Sequence, residues 1–137
     1  MALPETEGAQ TYEAAVTFGT HHQGGPGLAH GGIVGAALDE ACGLLATWHR
    51  FPTVTARIAI RFRRPAPINR ALRVSARVTA ERGRRIEISA ELRDGEDVLA
   101  EAKGVFLHVP LDHFLATPEG RAAGEAWQAR LEKGLNE

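Results

Sequence analysis

Ile33 to Trp48 reads as a helix that is apolar on nearly every side, through Ile33, Val34, Ala36, Ala37, Leu38, Ala41, Cys42, Leu44, Leu45 and Trp48. A helix without a broad polar face is stable only when buried, because packing rather than propensity holds helices in proteins. The rest of the chain must therefore enclose this segment.

The residues beyond it supply the enclosure. After Pro52, Ala56, Ile58, Ile60 and Phe62 share one face of a strand, and Arg57, Ala59, Arg61 and Arg63 share the other. The same alternation puts Thr55 on the arginine side. Arg64-Pro65-Ala66-Pro67 ends the strand. Leu72, Val74, Ala76 and Val78 then oppose Arg73, Ser75, Arg77 and Thr79. Past a turn at Arg82-Gly83, Ile86, Ile88, Ala90 and Leu92 oppose Glu87, Ser89, Glu91 and Arg93. Asp94-Gly95 marks a hairpin, and Val98 to Val109 forms a last strand with both faces partly apolar. Tyr12 to Phe18 reads as a short strand before the helix, and Gly19 to Ala29 as a turn-rich loop. Thr117 as N-cap and Pro118 as first helical residue open a short C-terminal helix over residues 117–133, docked by Trp127 and Leu131.

One strand, one helix and four antiparallel strands make an α+β chain, a curled antiparallel sheet around one long central helix. The 137 residues contain no repeat and no dividing linker, so 1–137 is one domain, with residues 1–9 as a flexible tail. Such a sheet leaves its edges open, and dimerisation through an edge strand is expected.

Composition excludes several classes. No apolar run is long enough to span a membrane, and the first residues lack the basic and apolar regions of a signal peptide. A single cysteine excludes an internal disulfide framework, and a cytoplasmic protein is expected. The net charge of −1 gives no overall basic excess for nucleic acid. The charge is uneven, however: eleven arginines fall between Arg50 and Arg85 against one acid, Glu81. Arginine suits bidentate contact with phosphate, which makes Arg63, Arg64, Arg82 and Arg84 candidates for a phosphorylated ligand. The plainer reading is a solvated sheet surface with partners such as Glu87, Glu91 and Glu101.

The candidate chemistry lies on the helix. His30-Gly31-Gly32 stands where the helix begins, leaving backbone N–H groups unshielded, and Asp39-Glu40 follows two turns later. N–H groups that can hold an oxyanion, with a carboxylate on the same helix, point to acyl transfer. Gly31 and Asp39 are eight residues apart, about 12 Å at ~1.5 Å per residue. One reacting carbon cannot touch both within one chain, so a shared site requires two subunits about a two-fold axis. Glu40 is rotated ~100° from Asp39, so one of the pair faces the cleft. Cys42 reads as a small core residue, without a base beside it in sequence. His21, His22 and His30 have no recognised zinc spacing, and no metal site is expected. Gly24-Gly25-Pro26-Gly27 lacks the Gly-Lys-Ser/Thr ending of a phosphate loop.

At Gln23–Gly32, Leu38–Gly43 and Thr55–Pro65, and through the hairpins to Val109, the chain resembles the PaaI-like branch of the hotdog-fold acyl-CoA thioesterases. The resemblance spans about residues 10–110 and implies a hotdog fold. It implies that the Gly31 N–H binds the thioester oxygen and that Asp39 acts as nucleophile or general base. It implies that Thr55 positions the water or the acid. Many relatives carry Asn where this chain has Gly24, and the adjacent Gln23 stands in for that amide. His30 orients the loop or contacts the acyl group, and Gly32 and Glu40 complete the substrate contacts. The implied partners are an acyl-CoA substrate and further copies of the chain, as a dimer or dimer of dimers. No cofactor is implied, since coenzyme A is part of the substrate. A non-catalytic acyl-CoA binder, a carrier-protein thioesterase and a hotdog dehydratase or hydratase are the competing readings. The acyl group is left open.

Overall fold

The computed structural model describes residues 8–135. Five strands form one antiparallel sheet: β1 (Thr11–Val16), β2 (Thr53–Phe62), β3 (Leu72–Arg82), β4 (Arg85–Asp94) and β5 (Asp97–His108). Their order is β1-β3-β4-β5-β2. Helix α1 (Gly31–His49) connects β1 to β2 and packs on the sheet, and α2 (Pro118–Leu135) closes the described chain. This is the curled sheet, long helix and C-terminal helix expected from the sequence.

The core forms where α1 meets the sheet. Leu38, Cys42 and Leu45 of α1 are fully buried with Leu72, Ile86, Ile88, Leu92 and Phe106 of the strands. Each of these strand residues belongs to the apolar face that alternation identified. Among the described residues no polar or charged residue is fully buried. The enclosure of α1 is one-sided, which corrects the reading of a helix buried all round. Val34, Leu38, Ala41, Cys42, Leu45 and Ala46 are buried, whereas Gly32, Ala36 and Glu40 are exposed. Apart from Asp39 and Glu40 the open face is made of small residues, which hydropathy alone does not separate from core.

Register shifts in three strands bend the sheet. Single extra residues occur at Ala56 between Thr55 and Arg57, at Thr79 between Val78 and Ala80, and at Leu99 between Val98 and Ala100. An extra residue on one strand increases local twist and reverses the face taken by residues beyond it. Both hairpins turn one residue later than the sequence suggested. Arg82 pairs with Arg85 and Asp94 with Asp97, so Gly83 and Gly95 are first in their turns, with φ of 59° and 60°. Glycine takes that left-handed conformation without the Cβ clash other residues meet.

The helix ends follow the expected chemistry. Thr117 Oγ1 accepts from the Gly120 N–H at 2.9 Å, capping α2 as predicted. The side chains of Trp127 and Leu131 lie outside the described residues. Residues 1–7 of the predicted tail also lie outside them, while Gly8 donates its N–H to the His49 carbonyl at the end of α1. No helix among the described residues is long and apolar enough to cross a membrane.

Candidate active site

The loop before α1 folds back to present the helix N-terminus. Its ends are bridged between Gln23 and Ala29, and the His30 N–H donates to the His22 carbonyl at 2.8 Å. Gln23 Oε1 accepts from the Gly27 N–H at 2.7 Å, so part of this side chain shapes the loop itself. A Cβ on Gly24 would lie 3.0 Å from the His30 Cα, tighter than ordinary backbone contact allows. The loop is therefore held against His30 by the absence of a side chain at Gly24.

His30 is the N-cap of α1, and its Nδ1 accepts from the Gly32 N–H at 2.9 Å. An accepting Nδ1 leaves Nε2 to carry the ring proton of the neutral form. Gly32 is thereby satisfied. Gly31, the first helical residue, is exposed, and its N–H meets no acceptor among the described residues. The unsatisfied donors of a helix start carry partial positive charge, and this one is accessible.

Two turns along α1, Asp39 is half-buried and meets Thr55 of β2. Thr55 Oγ1 donates to Asp39 Oδ1 at 3.1 Å. Simple alternation places Thr55 on the arginine face, and the structure overturns that placement. The extra residue at Ala56 puts Thr55 opposite Phe106, whose side chain is buried against α1, so Thr55 points to the helix as Ile58 and Ile60 do. Gly31, Gly32, Gly35, Ala36 and Asp39 of α1 line an open groove of ≈ 620 Å³ with Ile58, Ile60 and Phe62 of β2. On its other side Asp39 borders a cleft of ≈ 290 Å³, where Glu40 is also found.

Cys42, one turn beyond Asp39, is fully buried. Burial, and after it the charge of Asp39, push its thiol up to about 12. A group that keeps its proton at neutral pH is not a nucleophile. Among the described residues no three His, Cys, Asp or Glu side chains gather to hold a metal ion.

The four candidate arginines do not converge within one chain. Arg63 and Arg64 lie beside Gly31 in a hollow of ≈ 300 Å³. Arg63 Nε is 3.1 Å from Glu101 and Arg64 Nη1 is 3.3 Å from Asp97. Arg82 ends β3 and Arg84 lies in the β3–β4 turn, which Arg50 ties to the other end of α1 through the Gly83 carbonyl. Several other arginines follow the plainer reading, with Arg85 on Glu87 and Arg93 on Glu91. A still larger hollow, ≈ 970 Å³, opens on the sheet face away from α1 between Glu13, Arg61, Arg77 and Lys103, and includes neither Gly31 nor Asp39.

The chain is similar in sequence to acyl-coenzyme A thioesterases and in fold to several solved structures. Acyl-coenzyme A thioesterase THEM4 from Bos taurus is 31% identical over 91 residues, covering 65% of this chain and 37% of the relative. Its Xenopus laevis counterpart is 24% identical over 93 residues, covering 68% and 42%. The chain thus spans about two-fifths of these relatives' length. The structure of Escherichia coli PaaI, from the phenylacetic acid degradation operon, superposes with a TM-score of 0.69 at 19% identity, covering 76% of this chain and 75% of that one. A phenylacetic acid degradation-related protein from Ralstonia eutropha JMP134 gives 0.67 at 23% identity, covering 71% and 75%. The model of the thioesterase superfamily matches residues 26–101, from the loop ahead of His30 through Asp39 and Thr55 into β5, and so the chain belongs to the thioesterase superfamily.

Proposed function

We propose that the protein is an acyl-CoA thioesterase that hydrolyses its substrate to a free acid and coenzyme A. The observation that carries this reading is Asp39, held by the Thr55 hydroxyl and bordering a groove that Gly31 also lines. Superfamily membership and the thioesterase activity for which the THEM4 relatives are named support it.

The site is completed by a second copy of the chain. β2 is an edge strand, so one row of its backbone N–H and C=O groups is open to pairing. Beside it Phe62 is 56% exposed over a glycine- and alanine-lined helix face. An apolar strip along an open edge is a surface that association buries. A two-fold axis there brings Gly31 of one subunit towards Asp39 of the other, which a single chain keeps about 12 Å apart along its helix. The thioester oxygen sits on the partner's Gly31 N–H. Asp39 either takes the proton of an attacking water or attacks the carbonyl carbon itself, with hydrolysis of the resulting anhydride. In both routes the C–S bond breaks and the thiolate leaves, to be protonated by solvent. The N–H stabilises the oxyanion that forms between these events. Arg82 and Arg84, which have no side-chain partner among the described residues, are suited to the phosphates of coenzyme A.

The test is thiol release from acetyl-, hexanoyl-, decanoyl-, palmitoyl-, benzoyl- and phenylacetyl-CoA by wild type and Asp39→Asn. Turnover lost in the variant supports the assignment. Turnover that persists in Asp39→Asn removes Asp39 from the reaction, and no turnover by wild type on any thioester rejects the enzyme reading.

A further inference from the structure

The sheet face turned away from α1 carries its charges in rows, and the rows do not balance. Register sets Glu13, Ser75, Glu91, Glu101 and Arg61 side by side across the sheet. The adjoining row is Thr11, Arg77, Ser89, Lys103 and Ala59. Together they form most of the lining of the ≈ 970 Å³ hollow on that face. We propose that this hollow binds a small polyphosphate, a ligand with two or more linked phosphate groups, through Arg61, Arg77 and Lys103. The site is separate from the groove lined by Gly31 and Asp39, and the inference does not rest on the thioesterase reading.

Three observations carry it. The acids of the hollow are already held by arginines: Glu13 by Arg73 at 3.4 Å, Glu91 by Arg93 at 2.7 Å and Glu101 by Arg63 at 3.1 Å. Arg61, Arg77 and Lys103 have no side-chain partner among the described residues, so their charges stay uncompensated. Next, these cations are neighbours. Lys103 stands opposite Ala59, two residues from Arg61, and diagonal neighbours of this kind lie about 7–8 Å apart. Arg77 and Lys103 flank Ser89 in one row, two strand spacings or about 9.5 Å apart. Like charges this close repel, a cost that an anion between them removes. Finally, the residues between the cations are small. A recess of ≈ 260 Å³ beside Ala59 continues the hollow between Arg61 and Lys103, and the hydroxyls of Ser75 and Ser89 can donate to phosphate oxygens.

Spacing selects a polyanion over a single phosphate. Arg77 on β3 and Arg61 on β2 are three strand spacings apart, about 14 Å, with Lys103 between them. A chain of linked phosphates meets all three cations, and a lone phosphate does not. Tyr12, the one aromatic residue at the border of the hollow, packs its ring on Trp48 of α1. No surface is left there for a base to stack on, so the phosphate chain carries the recognition, whether free or part of a nucleotide. Edge pairing of β2 with a second chain engages backbone groups in the plane of the sheet and leaves this face open.

The experiment is calorimetric titration of the full chain with tripolyphosphate, at low and at physiological ionic strength, repeated with ATP. Wild type should bind tripolyphosphate, more weakly as salt rises. Arg61→Gln, Arg77→Gln and Lys103→Gln should each weaken binding about tenfold, the effect of losing one charge-assisted contact. All three side chains are exposed, so the variants should keep the wild-type thermal midpoint. Arg70→Gln makes the same change in net charge outside the hollow and should bind as wild type does. With that pattern in place, tighter binding of tripolyphosphate identifies the free chain as the source, and equal or tighter binding of ATP identifies a nucleotide. No binding by wild type, or an Arg70→Gln loss as large as that of Lys103→Gln, overturns the proposal. Binding lost in Arg82→Gln or Arg84→Gln but kept in Lys103→Gln places the anion at the other arginine pair and overturns it too. Self-association in sedimentation velocity that Lys103→Gln abolishes, with no anion bound, gives the face to a second copy of the chain and does the same.

Discussion

Thr55 Oγ1 reaches Asp39 Oδ1 at 3.1 Å because β2 carries an extra residue at Ala56. With one carboxylate oxygen engaged, the second is left for water or substrate. Asp39→Asn is expected to lower kcat/KM by about 10³-fold, in the range of a lost general base. Thr55→Ala removes one hydrogen bond to a charged group, worth roughly 1.5–3 kcal/mol or about 10- to 100-fold in rate. Thr55→Ser keeps the hydroxyl and should recover most of the activity. Steady-state thiol release by the three variants checks the set, and a Thr55→Ala enzyme as fast as wild type removes Thr55 from the site.

The Gly31 N–H can be deleted without unfolding the helix. Gly31 is the first residue of α1, a position that tolerates proline because its N–H has no helical partner. His30 has φ −61° and ψ 137°, the conformation that a following proline favours. A Cβ at Gly31 would touch the Phe62 ring at an ordinary 3.7 Å. Gly31→Pro should therefore keep the thermal midpoint within a few degrees while lowering kcat by about 10²–10³-fold, the effect of losing one oxyanion donor. Circular dichroism and kcat measured on one preparation separate a lost donor from a lost helix.

Much of this arrangement was legible in the chain, and the failures share a physical origin. The helix from Gly31, the hairpins and the Thr117 cap carry strong local signals, since periodicity and turn chemistry act over a few residues. The faces of β3 and β4 were also readable from alternation. The face of Thr55 was not, because one inserted residue reverses the pattern and leaves no compositional trace at Thr55-Ala56-Arg57. The open side of α1 was missed because Gly32 and Ala36, which are exposed there, are small residues that do not read as a polar face. The arginines look alike in sequence, whereas in the structure Arg63 pairs with Glu101 and Arg64 with Asp97. Such pairing depends on tertiary register.

Gly104 supports the site from behind. It pairs with Ile58 and Ile88, and a Cβ there would lie 2.5 Å from Cε2 of Phe106. The fully buried Phe106 ring, which floors the cleft beside Asp39, would have to move. Gly104→Ala is expected to destabilise the fold by about 1–3 kcal/mol, the usual cost of overpacking a core. Urea denaturation measures the change, and unaltered stability would mean that the ring has room to move.

Cys42 gives a pH signature. Burial first, and the Asp39 charge second, raise its thiol from 9.0 to about 12. The folded state then holds this proton more tightly than the unfolded chain, so its contribution to stability is complete below about pH 9 and is lost as pH rises towards 12. Cys42→Ala should flatten the alkaline loss of stability between these values. Native protein at pH 8 should leave Ellman's reagent unreacted until denaturant is added. Rapid labelling of the folded protein would show that the thiol is accessible.

The division of the site between subunits is tested by pairing two inactive chains. Gly31→Pro lacks the donor but keeps Asp39, and Asp39→Asn keeps the donor but lacks the acid. If each site draws Gly31 and Asp39 from different subunits, a mixed dimer contains one site with both groups intact and one with neither. Random pairing of equal amounts makes half of the dimers mixed, so about a quarter of wild-type activity should return. Co-expression with two different affinity tags, followed by tandem purification, isolates the mixed dimer, which should reach about half of wild-type activity per dimer. A site built within one chain predicts no recovery, since neither chain carries both groups. Phe62→Lys, which puts a charge on the exposed apolar strip beside β2, should abolish the recovery by keeping the chains apart, with a monomer in sedimentation velocity.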